Sequence, residues 1–480
     1  MLWKTIVIAL VVIFIWDIFQ KKHALLRTYP VIGHIRYLGE TLGIFLRAFF
    51  YERDNEGFPF NRSDRTWVYR AAKMSDTTIG FGSTRNPHPV GTIYFVSTPF
   101  PVLNRAATET RAVTIGPFTQ HPYTTKSLIN ISAMSYGAIS KAAIRALGMG
   151  AKKAGCWLNT GEGGVSPYHL ESGCDLVAQI GTAKFGFCDA NGNLSDAKLK
   201  EMAAYEQIKM FEIKLSQGAK PGKGGILPAK KITKEIAEIR NISMDHDAIS
   251  PNRFPEIANA SELLDFINHV RDVTQKPTGF KVSLGEFDWL DDLCQEILKR
   301  GKKFAPDFIT LDGAEGGTGA APMSLVDYMG HPIAESLPVL VDKLVEFGLR
   351  ERIKVIASGK LITPDMVVWA LAVGADFVNS ARGFMFALGC IQALQCHLNT
   401  CPTGIATHNP WLEHGLDPHD KAIRVYNYVK TLEHEVGILC HSCGVHEPRE
   451  LQRKHVRIVS DKGTSVSLAE LYPDRVCEHH

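Results

Sequence analysis

Eight short β-rich runs, separated by longer helical patterns between about Ser127 and Ala381, predict an α/β fold, a (β/α)8 barrel of TIM type. Two further stretches extend that prediction. An apolar run at the N-terminus adds a transmembrane helix, and an aromatic, arginine-rich segment from His23 to about Phe100 adds a pre-barrel part. The expected organisation is an anchor over 1–22, a helical and extended segment over 23–100, the barrel over 101–435 and a tail over 436–480. An open doubly wound sheet shows the same alternation, and the count of eight favours the barrel. With 480 residues the chain has room for a barrel of about 250 residues and its appendages.

Leu2 to Phe19 is apolar apart from Lys4, Thr5 and Asp17. As a helix it would be about 27 Å long, close to the hydrocarbon thickness of a bilayer. Lys21, Lys22 and Arg27 on its far side, against Lys4 on the near side, predict a single-pass membrane protein with its body in the cytoplasm. Asp17 leaves open a buried or interfacial helix instead. From Tyr37 to Tyr51, Leu38, Leu42, Phe45, Leu46 and Phe49 recur at helical spacing, and such a stripe is expected to pack on the main domain rather than lie on a membrane.

Composition narrows the function classes. A net charge of +3, with no long basic run, argues against a nucleic-acid partner. Ten cysteines over this length make no disulfide scaffold and favour a reducing compartment.

The strands read as "LINISA", "CWLNT", "DLVAQI", "FEIKL", "TGFKVSL", "DFITLDG", "IKVIASG" and "ADFVNSA". Six are followed by polar, mostly glycine-rich loops: "SAMSYGAIS", "NTGEGGVSPY", "GTAKFGF", "SQGAKPGKGG", "GAEGGTGAAP" and "SGKLIT". A barrel gathers its functional groups on these loops, and glycine lets backbone N–H groups approach a ligand. The insertion between the fourth and fifth strands, about 221–260, is long for such a loop and is expected to be functional.

Directly after the eighth strand, Cys390, Cys396 and Cys401 form a C-x5-C-x4-C pattern. Three thiols so close suit an iron–sulfur cluster, [3Fe-4S] better than a four-cysteine type. Spacing alone also allows buried thiols, or a zinc ion with His397 or His408 as fourth ligand. Cys440 and Cys443 in "CHSCG" read as buried thiols at a helix end.

"SAMSYG", "NTGEGG", "QGAKPGKGG", "DGAEGGTGAAP" and "ALGCIQALQCHLNTCPTGIAT" together resemble the FMN-binding synthase domain of the glutamate synthase large subunit, over about Pro117 to Val445. The resemblance implies a (β/α)8 barrel carrying FMN and a [3Fe-4S] cluster on Cys390, Cys396 and Cys401, making glutamate from 2-oxoglutarate and ammonia through 2-iminoglutarate. For FMN it implies Lys281 at the N1/C2 edge, Ser132, Ser135 and Gln179 on the ring or ribityl chain, and phosphate near Gly359, Lys360, Ala381 and Arg382. For the 2-oxo acid it implies Lys214, Gln217, Lys220 and Arg240, with Glu162 handling ammonia or a proton.

The chain departs from that pattern. Ile226 stands where the family has a glutamine on 2-oxoglutarate, and "ISPNRFPEI" replaces a histidine-rich stretch, adding Arg253 and Glu256. No amidotransferase or β-helix domain is recognised, so ammonia is expected to come free or from a separate amidotransferase. A strand-linked G-x-G-x-x-G is absent, so electrons are expected from ferredoxin or a separate NAD(P)H-dependent reductase subunit. Two alternatives stand beside the main reading: an FMN oxidoreductase acting on a different 2-oxo or 2-amino acid, and a membrane-tethered electron-transfer module without small-molecule turnover.

Overall fold

The computed structural model describes residues 2–103, 110–473 and 475. The chain divides into two compact units, Met1–Thr66 and Trp67–His480.

The larger unit is a closed barrel of eight strands: β1 (Ile129–Ile131), β2 (Leu158–Asn159), β3 (Leu176–Ile180), β4 (Ile208–Lys214), β5 (Thr278–Val282), β6 (Phe308–Asp312), β7 (Lys354–Ser358) and β8 (Phe377–Ser380). Seven lie within the predicted runs, and β4 overlaps its run "FEIKL" but begins three residues earlier, at Ile208. All pairings are parallel, and Val378 opposite Ile129 joins β8 to β1 and closes the ring. These strands are buried on both faces, which is why they read as near-continuous Val, Ile and Phe runs rather than as alternation. Helices return the chain between them. The helix Lys141–Ala154 starts where the Ser140 hydroxyl accepts the Ala143 N–H, and ends at Gly155 in the left-handed conformation. The 25-residue helix Pro418–Ser442 crosses it closely at Gly150, where a Cβ would lie 2.5 Å from the Val425 side chain.

The amino-terminal end of the barrel is sealed. A hairpin of Val113–Ile115 with Tyr123–Thr125 contributes Ile115 and Tyr123 to a buried cluster with Trp157, Met210, Phe308 and Phe377. Three of these side chains stand at or just before the first residue of their strand, so apolar packing plugs this end and leaves the carboxyl end for chemistry.

The insertion after β4 folds as its own small element. Ile226–Leu227 pairs antiparallel with Ala248–Ile249, and the helix Lys234–Arg240 lies between them in sequence. Ile93–Phe95 pairs with Val456–Val459, which pairs in turn with Ser465–Ser467, so the two ends of the larger unit meet in one three-stranded sheet. Cys440 and Cys443 are buried at the end of the long helix, and the Cys440 thiol donates to Val445 O at 3.2 Å. Cys477 lies outside the described residues.

In the smaller unit, Leu2–Phe19 is a helix long and apolar enough to cross a membrane, by length and composition. Short Ala24–Thr28 and the helix Gly33–Leu46 follow, the latter ending in a π turn over Arg47–Tyr51. Asp17 is fully buried: it accepts the Val31 N–H at 2.9 Å and pairs with His34 Nε2 at 3.0 Å. Of the stripe read from the sequence, Leu38, Leu42, Leu46 and Phe49 are exposed, while the side chain of Phe45 lies outside the described residues.

Candidate active site at the carboxyl ends of the strands

Lys214 is the last residue of β4, where the strand delivers it to the barrel mouth. Its ammonium lies 3.0 Å from Glu162 Oε1, on the loop after β2, and donates to Gln217 Oε1 at 2.7 Å. Gln217 in turn donates to Gly317 O at 3.0 Å, tying the loop after β4 to the loop after β6. Lys220 is almost fully buried and donates to Ala320 O at 3.1 Å. Arg240 arrives from the insertion helix, donating to Tyr136 O at 2.8 Å and to the Ser135 hydroxyl at 3.2 Å. Two glycines make this convergence sterically feasible. A Cβ on Gly163 would sit 2.6 Å from Arg240 Nη2, and one on Gly225 would sit 2.3 Å from Glu162 Oε1.

The electrostatics follow from that packing. Burial alone would raise the Glu162 pKa, but Lys214, Lys220 and Arg240 outweigh it and hold the carboxyl below its ordinary value. Burial, aided by repulsion from Lys214, brings Lys220 down to about 8. Burial likewise brings Arg240 down to about 10, against the pull of Glu162. The result is one ionised carboxylate facing three largely dehydrated cations.

Below this mouth lies a polar layer centred on Glu212, a residue that strand reading passed over. One oxygen accepts from Asn159 Nδ2 at 2.8 Å and Gln179 Nε2 at 2.7 Å, and the other from the Thr310 hydroxyl at 2.5 Å. Glu212 thereby fixes the amide of Gln179. The clue was an acidic residue inside the apolar run "FEIKL", and Asp312 in "ITLDG" is the same kind of signal. Lys281 pairs with Asp312 at 3.3 Å, and Asp312 also accepts from Gly218 N at 2.9 Å and the Ser358 hydroxyl at 2.8 Å. Burial opposes ionisation of Asp312, yet Lys281 and these donors hold its pKa below the usual range.

Gly359 and Lys360 follow β7 with φ of +134° and +56°, and Ala381 and Arg382 follow β8. Arg382 donates to Glu315 O, and burial brings it down to about 10 despite Asp312 and Glu315. Ser132 is buried just past β1 and donates its N–H to Ser380 O at 2.9 Å. Of the expected residues, Glu162, Lys214, Gln217, Lys220, Arg240 and Ser135 stand in direct or electrostatic contact, while Lys281 pairs with Asp312, which was not among them.

Cys390, Cys396 and Cys401 share the irregular segment after the helix Arg382–Leu388 that follows β8, with Cys401 buried and the other two half-buried. Among the described residues no group of three His, Cys, Asp or Glu side chains converges on a single metal ion. His408 is engaged elsewhere, with Nε2 2.9 Å from Gly137 O, and burial lowers it to about 4. Lys231, another residue missed from the sequence, is buried between the loops and donates to Ala138 O at 2.6 Å and Cys396 O at 3.1 Å. Glu256 pairs with the buried Lys184, and Thr182 donates to Pro251 O at 2.6 Å, so the "ISPNRFPEI" stretch is latched to the loop after β3.

A closed parallel barrel with a charged, glycine-lined mouth at its carboxyl ends defines a protein of the (β/α)8 class. The profile described as "Conserved region in glutamate synthase" matches residues 104–446. The chain belongs to the glutamate synthase family. It is 40% identical over 522 residues, 98% of this chain and 99% of the other, to the glutamate synthase large subunit-like protein YerD of Bacillus subtilis (strain 168). It is 32% identical to the archaeal-type glutamate synthase [NADPH] of Thermotoga sp. (strain RQ2), over 68% of this chain and 61% of that protein. The archaeal glutamate synthase [NADPH] of Methanocaldococcus jannaschii is 32% identical over 72% of this chain and 63% of that protein. Among solved structures, a flavocytochrome b2 double mutant with sulfite bound superposes with a TM-score of 0.47 at 13% identity, covering 89% of this chain and 85% of that one. A mutant (S)-mandelate dehydrogenase chimera gives 0.48 at 13%, covering 87% and 98%. The barrel assignment rests on the strand pairing itself.

Proposed function

We propose that this chain is an FMN- and iron–sulfur-dependent oxidoreductase of glutamate synthase type that reductively aminates 2-oxoglutarate or a related 2-oxo acid. The observation that carries the reading is the contact of Glu162 with Lys214 beside Lys220 and Arg240 at the mouth of a family barrel. Lys214, Lys220 and Arg240 are the cations that would hold a 2-oxo acid by its carboxylates, in a site where burial strengthens each contact. Glu162, kept ionised by those cations, would bind an ammonium ion or take a proton from it. Gln217, held at both ends, would orient Lys214.

The residues present suit FMN. Buried Asn130 Nδ2, Asn379 Oδ1 and Ser283 Oγ lack hydrogen-bond partners among the described residues, and they lie on or just after β1, β8 and β5, the strands that also lead to Ser132, Arg382 and Lys281. Lys281 would face the isoalloxazine edge, Gln179 and Ser132 would contact ring or ribityl chain, and the backbone at Gly359, Lys360, Ala381 and Arg382 would take the phosphate. FMN when bound supplies the hydride, and a [3Fe-4S] cluster on Cys390, Cys396 and Cys401 supplies single electrons. Three thiols in one loop are the right donors for such a cluster, which is anchored through several irons rather than through one ion. The helix Leu2–Phe19 would anchor the protein by a single pass, with the barrel on the cytoplasmic side, as its flanking lysines and arginine favour. The electron donor would be a ferredoxin or a separate reductase, and ammonia would be free or delivered by a separate amidotransferase.

One observation favours the second reading, a different 2-oxo acid. Ile226 directly follows Gly225, whose Cβ position abuts Glu162, so an apolar residue sits where a polar contact to substrate is expected. Anaerobic reoxidation of reduced flavin tests both. Reoxidation that requires 2-oxoglutarate and ammonium together and yields glutamate supports the synthase reading. Flavin that stays reduced with this pair but is reoxidised by another 2-oxo acid supports the second.

A further inference from the structure

We propose that the helix Gly33–Leu46 lies on the cytoplasmic surface of an anionic lipid bilayer, giving the chain a second membrane contact beside the span. This rests on the reading of Leu2–Phe19 as a span. Five observations carry it. Ile35, Leu38, Leu42 and Leu46 recur three or four residues apart and so share one helix face, and they are 69%, 58%, 45% and 40% exposed. Phe49 and Phe50 in the π turn extend the exposed apolar surface. The opposite face carries Arg36 and Glu40, joined at 3.0 Å.

Position is set by Asp17. This carboxylate sits within the last turn of the apolar helix, and its bonds to Val31 N and His34 Nε2 hold the first turn of Gly33–Leu46 beside the end of the span. A span leaving the hydrocarbon at that point places the start of the second helix at headgroup depth. The charge agrees. Between residues 20 and 51 stand Lys21, Lys22, Arg27, Arg36 and Arg47 against a single acidic residue, Glu40. An amphipathic helix with large aliphatic side chains on one face and Arg36 on the other, followed by Arg47 in the π turn, is built to bury the first among acyl chains and hold the arginines at phosphates.

The test uses the full chain in nanodiscs of phosphatidylcholine and phosphatidylglycerol, with p-benzoylphenylalanine in place of one residue at a time: Leu38, Leu42, Glu40 or Val11. After irradiation, adducts are identified by mass spectrometry. Lipid adducts at Leu38 and Leu42, and their loss at Glu40, are expected. Crosslinks from Leu42 to peptides of this chain or a second copy would overturn the proposal, as would an absence of lipid adducts there or equal adducts at Glu40. The Val11 position reports the span separately. No lipid adduct at Val11 would remove the anchor reading, whereas adducts at Val11 without any at Leu42 would leave the anchor and remove the interfacial helix.

Discussion

Replacing Glu212 with leucine should be among the most damaging single changes inside the barrel, although the two side chains are similar in volume. Its carboxyl group accepts hydrogen bonds from Asn159, Gln179 and Thr310, and Glu212 is 1% exposed, so water cannot replace it. Each buried donor left without an acceptor costs about 1–3 kcal/mol. Three such losses come to about 3–9 kcal/mol, and relief of the carboxyl group's own desolvation, about 1–3 kcal/mol, leaves a destabilisation of about 2–6 kcal/mol. Glu212→Gln behaves differently. Its amide oxygen still accepts from Asn159 and Gln179, and its NH2 can donate to a Thr310 hydroxyl that has turned round, at a cost of about 1 kcal/mol. Glu212→Leu also frees the Gln179 amide, so FMN content should fall with stability, and Glu212→Gln should restore most of both. Thermal unfolding of purified protein in detergent, with flavin quantified after release, provides the assay. Glu212→Leu within about 1 kcal/mol of the parent, or Glu212→Gln as damaging as Glu212→Leu, would refute the reasoning, since both require that the layer is held by acceptors.

Cys396→Ser should abolish bound iron while leaving the flavin complement unchanged, and iron content equal to the parent's would sink the cluster assignment. Lys214→Met removes the cation 3.0 Å from Glu162 and should lower kcat/KM for the 2-oxo acid by about 10–100-fold, measured by flavin reoxidation at limiting substrate. Because burial first, and then the charge of Lys214, brings Lys220 down to about 8, the free protein loses the cation proposed to hold a substrate carboxylate as pH rises through that value. The expected kcat/KM profile is therefore level below and falling above it, and Lys220→Met should lose that alkaline limb. Ile226→Gln should improve turnover of 2-oxoglutarate relative to a 2-oxo acid with an apolar side chain, and an unchanged ratio would show that this position does not select substrate.

The eight strands, their order and the loops at their carboxyl ends were legible because a strand buried on both faces is a local signal: a short run of Val, Ile, Phe and Leu punctuated by glycine. The residues at the mouth were legible through motif resemblance, and the contacts among Glu162, Lys214, Gln217 and Arg240 agree with their grouping. What escaped was relational. Glu212 draws its donors from β2, β3 and β6, up to 98 residues away, and no window along the chain records that meeting. Lys231 is a lone lysine in sequence and a bridge between two loops in space. The stripe from Leu38 to Phe49 shows the reverse case. Its amphipathic spacing was plain, but periodicity reports only that a face is apolar. How far its side chains are exposed depends on contacts distant in sequence, and only the tertiary structure gives the exposure of Leu38, Leu42, Leu46 and Phe49.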